Sequence, residues 1–406
     1  MSEKRSGANR HGSMTEYLNG LPIVREGLAF LGSCEDEFVD LIASITEIPA
    51  PSHDEFERGE FVREKMEEFG FPVTKTDCVG NVLGLLPGED PSRVIVSMAH
   101  MDTVFSRDVD VSVTRNGNRL EGPGVSDNSA SVACMLLLGK VLAEHLPLPH
   151  PVLLIGNVGE EGLGDLKGAR YFCDNVEEYD FDGFRLNPDN LVFLNIDGGW
   201  GNLTHAGVGS RRLRIEFEGE GGHSWGAFGC SSAIHGLGSA IGNIARIEVS
   251  SEPRTTYNVG VISGGISVNS IAQGAEMLLD MRSVDQQALT QLEQEVVEGL
   301  DCAARDTSTR YSTTVVGDRP TGRISEKSEL VQGLLRLGRE QGCALQLRSG
   351  STDSNIPLAR GWPAVTMGFK RSENGHRVSE FLYIDSLVPG IKFALLCFGG
   401  LLYDLY

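Results

Sequence analysis

No two of the eight cysteines, at positions 34, 78, 134, 173, 230, 302, 343 and 397, stand in C-x-x-C spacing. Their scatter argues against a zinc ribbon or a disulfide framework and fits reduced, mostly buried thiols. Positive charge is short as well: 35 Lys and Arg face 56 Asp and Glu, the formal net charge is −21, and no basic run offsets it. Nucleic acid and anionic membrane surfaces are therefore excluded as partners. The first stretch, 1–15, is polar and lacks the apolar core of a signal peptide or membrane anchor. A disordered tail and a cytoplasmic location are the expectation. Repeat arrays and low-complexity tracts are missing too.

What is present is an ordinary globular composition, 40% hydrophobic and 22% charged, over 406 residues. That length exceeds what one core usually serves, so two domains are expected. Helical spacing opens the ordered part at 35–48 and 55–69. Strands are expected at 72–74 and 81–86, and the apolar run 93–99 reads as a strand buried on both faces of a sheet. An Asn116-Gly117 turn, a buried helix over 130–145 and apolar runs at 152–158 and 191–196 follow. Between 207 and 316 the texture changes: alternating Leu213, Ile215 and Phe217, a helix at 231–247, strands at 255–262 and 275–282, a helix at 285–304 and a strand at 311–316. That β-α-β-β-α-β order is the ferredoxin-like pattern. The segment is read as a domain inserted into an α/β domain made of 16–206 and 317–406, which closes with a helix at 327–341, a strand at 364–369 and a last helix at 384–402.

The chemistry gathers just beyond strand ends. Gly156-Asn157-Val158-Gly159-Glu160-Glu161-Gly162 sets two adjacent carboxylates in a glycine-bracketed turn after an apolar strand, so one can hold a metal while the other faces a substrate. His100 and Asp102 follow the strand at 93–99, Asp127 lies in Ser126-Asp127-Asn128-Ser129, Asp197 ends 191–196, and His376 follows the strand at 364–369. Ligands of open α/β sheets bind outside the carboxyl ends of strands, which gives these residues a reason to converge. So many carboxylates would resist ionisation together. Two divalent cations relieve that conflict, because four positive charges against the three of Asp127, Glu161 and Asp197 leave a surplus that acidifies bound water. Nitrogen and oxygen donors suit zinc, with cobalt or manganese also compatible.

The ordered motifs His100-Met101-Asp102, Gly124-Val125-Ser126-Asp127-Asn128, Gly159-Glu160-Glu161-Gly162, Asn195-Ile196-Asp197-Gly198 and Gly375-His376 resemble the co-catalytic zinc exopeptidase and aminoacylase superfamily, which includes peptidase T, glutamate carboxypeptidase and acetylornithine deacetylase. Peptidase T-like members look most similar. The resemblance spans nearly the whole chain from about residue 35. It implies a catalytic domain with a mixed, mostly parallel sheet flanked by helices, plus an inserted ferredoxin-like α+β lid that dimerises. It further implies that Asp127 bridges two metals, with His100 and Asp197 on one and Glu161 and His376 on the other. Asp102 would orient His100, Glu160 would be the general base, and the Asp127–Asn128 peptide would be cis. In the lid, His223 would hold the oxyanion in the partner's site, and Asn269 and Arg282 would contact substrate. The 350–355 loop, with Thr352, would offer N–H groups to it. Here the chain has Trp225-Gly226-Ala227-Phe228-Gly229 where many relatives place a proline-containing turn.

The resulting expectation is a homodimeric dinuclear hydrolase that cleaves an amide bond in di- and tripeptides. An N-acyl amino acid deacylase with the same centre and a non-catalytic ligand-binding homologue are the alternatives. Residue types alone do not separate aminopeptidase, carboxypeptidase, dipeptidase and deacylase, which share the centre and differ in which end of the substrate is gripped.

Overall fold

The computed structural model describes residues 12–406. Residues 1–11 of the expected tail lie outside the described residues, and its last part is corrected: Ser13 accepts the N–H of Glu16 and caps a helix at Met14–Asn19. A second helix missed from sequence, Pro22–Leu31, starts on a proline, whose fixed φ suits the first helical position. Leu18, Val24 and Leu31 of these helices are buried in the same core as the C-terminal helix Leu387–Leu402. A partner so distant in sequence leaves no local signature.

The chain divides into two compact units. One holds the described residues up to His205 with Arg323–Arg348 and Thr352–Tyr406; the other holds Ala206–Gly322 and Ser349–Ser351.

The first unit is built on a mixed sheet whose four central strands, in spatial order Val152–Asn157, Val94–His100, Leu191–Trp200 and Ala364–Gly368, are parallel. Val73–Thr76 and Val82–Leu86 extend one side antiparallel, and Asn202–Gly207 does so on the other. Every residue of Val94–His100, Val152–Asn157 and Ala364–Gly368 is buried, which is why these strands read as apolar runs without alternation. Successive side chains still serve opposite faces. Ile95 and Ala99 join the core under the helices Glu35–Thr46, Ala130–Ala143 and Leu387–Leu402. Val94, Val96 and Met98 join a second core with Leu153, Phe172 and Phe193. Two segments, Val125–Ala143 and Ile384–Leu402, are long and apolar enough to cross a membrane, and both are mostly buried in this unit.

From Val94–His100 the chain goes first to the neighbour on one side, Val152–Asn157, and then to the neighbour on the other, Leu191–Trp200. This reversal opens a crevice at the carboxyl end of the His100 strand, where such sheets bind ligands.

The second unit is a four-stranded antiparallel sheet in the order Thr255–Gly264, Gly274–Ser283, Gly209–Glu218, Arg310–Arg319. The helices Ala233–Ile244 and Gln286–Thr307 share a core with Leu213, Ile215, Phe217, Met277, Leu279 and Met281 on alternate strand positions. That order is the ferredoxin-like one. All eight cysteines are unpaired; five are buried, Cys230 is partly exposed, and Cys78 and Cys302 are exposed.

Candidate metal centre

His100 and the Glu160-Glu161 pair sit where parallel strands give way to turns. Asp127 lies in the turn that leads into the helix Ala130–Ala143. Asp197 lies within the strand Leu191–Trp200, which runs further than expected, and His376 lies beyond the short strand Ser372–Glu373. His100 is the last residue of its strand and is buried. Its Nε2 lies 3.2 Å from Asp127 Oδ1. Asp127 presents its other oxygen to His376 Nε2 at 3.0 Å, and the same nitrogen lies 2.9 Å from Glu161 Oε1. Donor atoms of His100, Asp127 and Glu161 all lie within 4.8 Å of one another. One imidazole thus touches two carboxylates, and one carboxylate touches two imidazoles. The Asp127–Asn128 peptide is cis.

The electrostatics follow from this crowding. Burial alone would lower His100, but Asp102, Asp127 and Glu160 outweigh it and hold it well above the usual imidazole range. His376 is pushed up to about 11 by hydrogen bonds to Asp127 and Glu161. Burial would raise Asp127, yet the two histidines pull it below the ordinary carboxylate range. Asp197 is raised, first by burial and then by the charge of Asp127, with Glu161 adding to it. Its Oδ1 takes the N–H of Gly198 at 2.5 Å, and it is not among the donors that lie within 4.8 Å of one another. Two carboxylates, Asp127 and Glu161, with the imidazoles of His100 and His376, nitrogen and oxygen donors a few ångströms apart, fit a divalent metal.

Around the cluster is a set of hydrogen bonds that fixes it. Asp102 is fully buried and takes the N–H of Glu160 on Oδ1 and of Glu161 on Oδ2, both at 2.9 Å, and the Ser52 hydroxyl at 2.6 Å. Its contact with His100 Nδ1 is looser: 3.4 Å to Oδ1 and 3.0 Å to its backbone oxygen. Burial would raise its carboxyl, but the bonds from His100, Ser52 and Glu161 hold it down at about 2. Asp102 thus orients the Glu160-Glu161 turn at least as much as the histidine. Gly159, at φ 62°, supplies the left-handed step before the pair, and its N–H is held by Glu55 Oε1 at 2.9 Å.

Sequence reasoning missed four residues here. Glu380 is wholly buried and accepts the N–H groups of Gly124, Ser126 and Asp127 and the Ser126 hydroxyl, at 2.7–3.2 Å; a buried carboxylate is tolerable with that many donors. Arg58 is buried and donates to the carbonyls of Thr46, Ile48 and Met101, the last between His100 and Asp102. Lys370 is buried one residue past the Ala364–Gly368 strand and its neighbour Phe369. Asp353 is buried, and burial pushes its carboxyl up to about 7 in the field of His100, Asp197 and Asp102. The strand-end rule that selected His100 and Asp197 would also have selected Lys370.

The remaining expected residues stand differently. Thr352 bonds its hydroxyl to Thr366 at 3.0 Å, and the N–H groups of Thr352, Ser354 and Asn355 are all taken within the loop. Two of the acceptors are the side chains of Asn355 and Thr352, and the third is the Thr352 carbonyl. In the second unit, His223 and Asn269 are exposed. His223 Nδ1 accepts the N–H of Trp225 and Gly226, and the Asn269 carbonyl accepts the N–H of Ser224. Arg282 is partly exposed and forms an ion pair with Asp280 at 2.7 Å.

The model of peptidase family M20/M25/M40 matches residues 96–398, which contain His100, Asp127, Glu160, Glu161, Asp197 and His376. The chain belongs to that family. It is a metal-dependent hydrolase of the peptidase and amidohydrolase kind. Among curated relatives, an uncharacterised Bacillus subtilis protein, YqjE, is 24% identical over 87% of this chain and 94% of its own. Acetylornithine deacetylase of Edwardsiella ictaluri is 25% identical over 78% and 82%. Among solved structures, a Staphylococcus aureus tripeptidase superposes with a TM-score of 0.75 at 20% identity, covering 91% of this chain and 99% of that one. A Bacillus subtilis protein described as a dinuclear metal-binding peptidase of family M20 does so at 0.66 and 14%, covering 92% and 99%. These similarities bear out the α/β fold and the superfamily expected from sequence.

Proposed function

We propose that this M20 hydrolase is a di- and tripeptide exopeptidase with a dinuclear, zinc-type centre, in which Asp127 joins two ion sites, His100 and Asp197 serving one and Glu161 and His376 the other. The observation that carries the reading is His376 Nε2 within 3.0 Å of both the Asp127 and Glu161 carboxylates, while Asp127 also meets His100. When bound, the ions supply an acidified water and polarise a carbonyl. The chain's part is proton handling and positioning. Glu160, 5% exposed beside this cluster, takes the proton of the attacking water and passes it to the departing amine nitrogen. Asp102 keeps it aimed by holding its N–H.

In the second unit we assign His223 to oxyanion stabilisation and Asn269 and Arg282 to the substrate's polar ends, with Arg282 matched to a carboxylate. Homodimerisation through this unit is supported by Val261 and Ile262, both exposed on the edge strand Thr255–Gly264, and by Ile266 and Val268 exposed just beyond it. A cytoplasmic location fits the unpaired cysteines.

The acetylornithine deacetylase relative favours the second reading, an N-acyl amino acid deacylase. Reconstitution with Zn²⁺ or Co²⁺, followed by a panel of tripeptides and N-acetyl amino acids, separates the two. Peptide turnover that chelation abolishes is the expected result. Turnover of the N-acetyl compounds alone would assign the deacylase, and neither activity in metal-loaded protein would leave a binding protein.

A further inference from the structure

Among the described residues of the first unit, the large hydrophobic side chains left exposed are Tyr17, Phe56, Val104, Leu163 and Val378. Exposed apolar residues scattered singly are ordinary, but these are not scattered. Tyr17 apart, each lies within two residues of the metal corner: Phe56 follows Glu55, Val104 follows Asp102 and Thr103, Leu163 follows Glu161 and Gly162, and Val378 follows His376 and Arg377. Their segments are tied to one another. Glu55 Oε1 holds the Gly159 N–H, Ser52 Oγ reaches Asp102 Oδ2 at 2.6 Å and the Glu161 carbonyl at 3.4 Å, and the Thr103 N–H donates to the Ala50 carbonyl at 2.8 Å. The Glu161 carbonyl also takes the Gly164 N–H at 2.7 Å, closing the turn that carries Leu163, and His376 meets the Glu161 carboxylate. Four segments that meet through their polar groups thus each leave one apolar side chain to solvent, from 44% exposed for Val104 to 74% for Phe56. The acidic neighbours of Phe56, Asp54 and Glu57, are engaged by Arg107 rather than left for a basic side chain.

We propose that Phe56, Val104 and Leu163, with Val378 at the edge, form a specificity-determining wall at the mouth of the metal centre, which receives an apolar side chain carried by the substrate beside its scissile amide. The inference rests on the hydrolase reading of this corner and names its substrate class, for peptides and N-acyl amino acids alike. A substrate whose carbonyl reaches Glu160 brings the neighbouring side chain to these same segments, where an aliphatic or aromatic group removes apolar surface from water on both partners. A hydroxyl or a charge in that place gains nothing from the wall and loses hydration. A methylene in an apolar pocket is discriminated by about 10–200-fold, and an open wall works at the low end of that range.

The measurement is kcat/KM of the metal-loaded full-length protein on tripeptides varied at either end and on N-acetyl amino acids, with leucine compared against serine, glutamate and lysine at the varied position. The parent is expected to favour leucine by about tenfold. Phe56→Ala combined with Leu163→Ala should remove most of that preference by slowing the leucine substrates while leaving the serine ones unchanged, and Phe56→Leu alone should keep it. Metal content and melting temperature should stay at parent values, since both side chains are exposed. Calorimetric binding of the same compounds to Glu160→Gln protein repeats the comparison without turnover. Parent-like selectivity in the double variant, or a parent that favours serine or a charged residue, would overturn the proposal. A double variant altered only in oligomeric state or melting temperature would overturn it too, by giving the wall to a protein surface instead. A parent that turns over none of these compounds, with Glu160→Gln protein that binds none, would sink the hydrolase reading and this inference with it.

Discussion

The strand-end corner of the first unit and the loops and outer sheet face of the second both carry residues assigned to the reaction, yet they are built in opposite ways. In the first, His100, Glu160 and Glu161 are buried, and their supports, Asp102, Glu380 and Arg58, are buried too, while Asp127 is half-buried and His376 alone of the expected ligands is exposed. In the second, His223 and Asn269 are exposed and bond mainly to their own neighbourhood, and Arg282 leans on Asp280 two residues away. Buried carboxylates are tolerated only when donors or ions satisfy them, so the corner has to be rigid to exist at all. Exposed polar groups carry no such obligation and remain able to meet a ligand. One region is preorganised for charge; the other is left adaptable for recognition.

Substitutions test that contrast, and the largest effects belong to the corner. Glu160→Gln is expected to lower kcat by about 10²–10⁴-fold with metal content unchanged, whereas Glu161→Gln is expected to lose metal. Turnover assays paired with elemental analysis check both, and metal loss in the first variant would move Glu160 into the ligand set. Next come the supports. Asp102→Asn and Glu380→Gln each leave backbone N–H groups with a poorer acceptor, and a metal affinity about 10–100-fold weaker is expected, measured by chelator competition. Unchanged affinity would mean that the corner holds its shape without them.

The second unit is expected to respond otherwise. His223→Ala and Arg282→Lys should reduce kcat/KM while leaving metal content and melting temperature at parent values. Mixing Glu160→Gln with His223→Ala chains should restore part of the activity if His223 acts across a dimer. Absence of recovery, with subunit exchange verified, would place it in its own subunit's site or outside the reaction.

The smallest effect lies away from both regions. Glu340 accepts the Thr15 N–H at 2.8 Å, the Ser13 hydroxyl at 2.9 Å and Arg336 Nε at 3.0 Å. Burial would raise its carboxyl, but these bonds hold it at about 2, below the roughly 4.3 of an unfolded chain. A depressed folded pKa contributes stability above the unfolded value, and that stability is lost as pH falls towards 2. Hydrogen exchange at Met14–Asn19 should therefore quicken in acid in the parent, and Glu340→Gln should quicken it already at neutral pH without touching metal affinity.

How much was legible follows from where each constraint lives. The parallel core strands were visible because burial on both faces writes an unbroken apolar run, as in Val94–His100. The alternation of Leu213, Ile215 and Phe217 announced a sheet with one covered face. His100, Asp127, Glu161, Asp197 and His376 stood out by strand-end position and ordered motif. The first two helices did not, since their partner lies at the other end of the chain. Glu380 looked like any charge before an apolar triplet, and Thr352 gave no sign that Thr366 holds its hydroxyl.

The sequence by itself determined the two textures and the family and singled out the candidate donors, because periodicity and motif order are local or ordinal properties. Only the tertiary structure decided that Asp102 grips the Glu160-Glu161 turn, that Glu380 carries the Asp127 turn, and that Lys370 reaches the Asn128 side chain. Those are contacts between residues up to more than two hundred and fifty positions apart. A charge is costly or useful according to what surrounds it, and the surroundings are set by the fold.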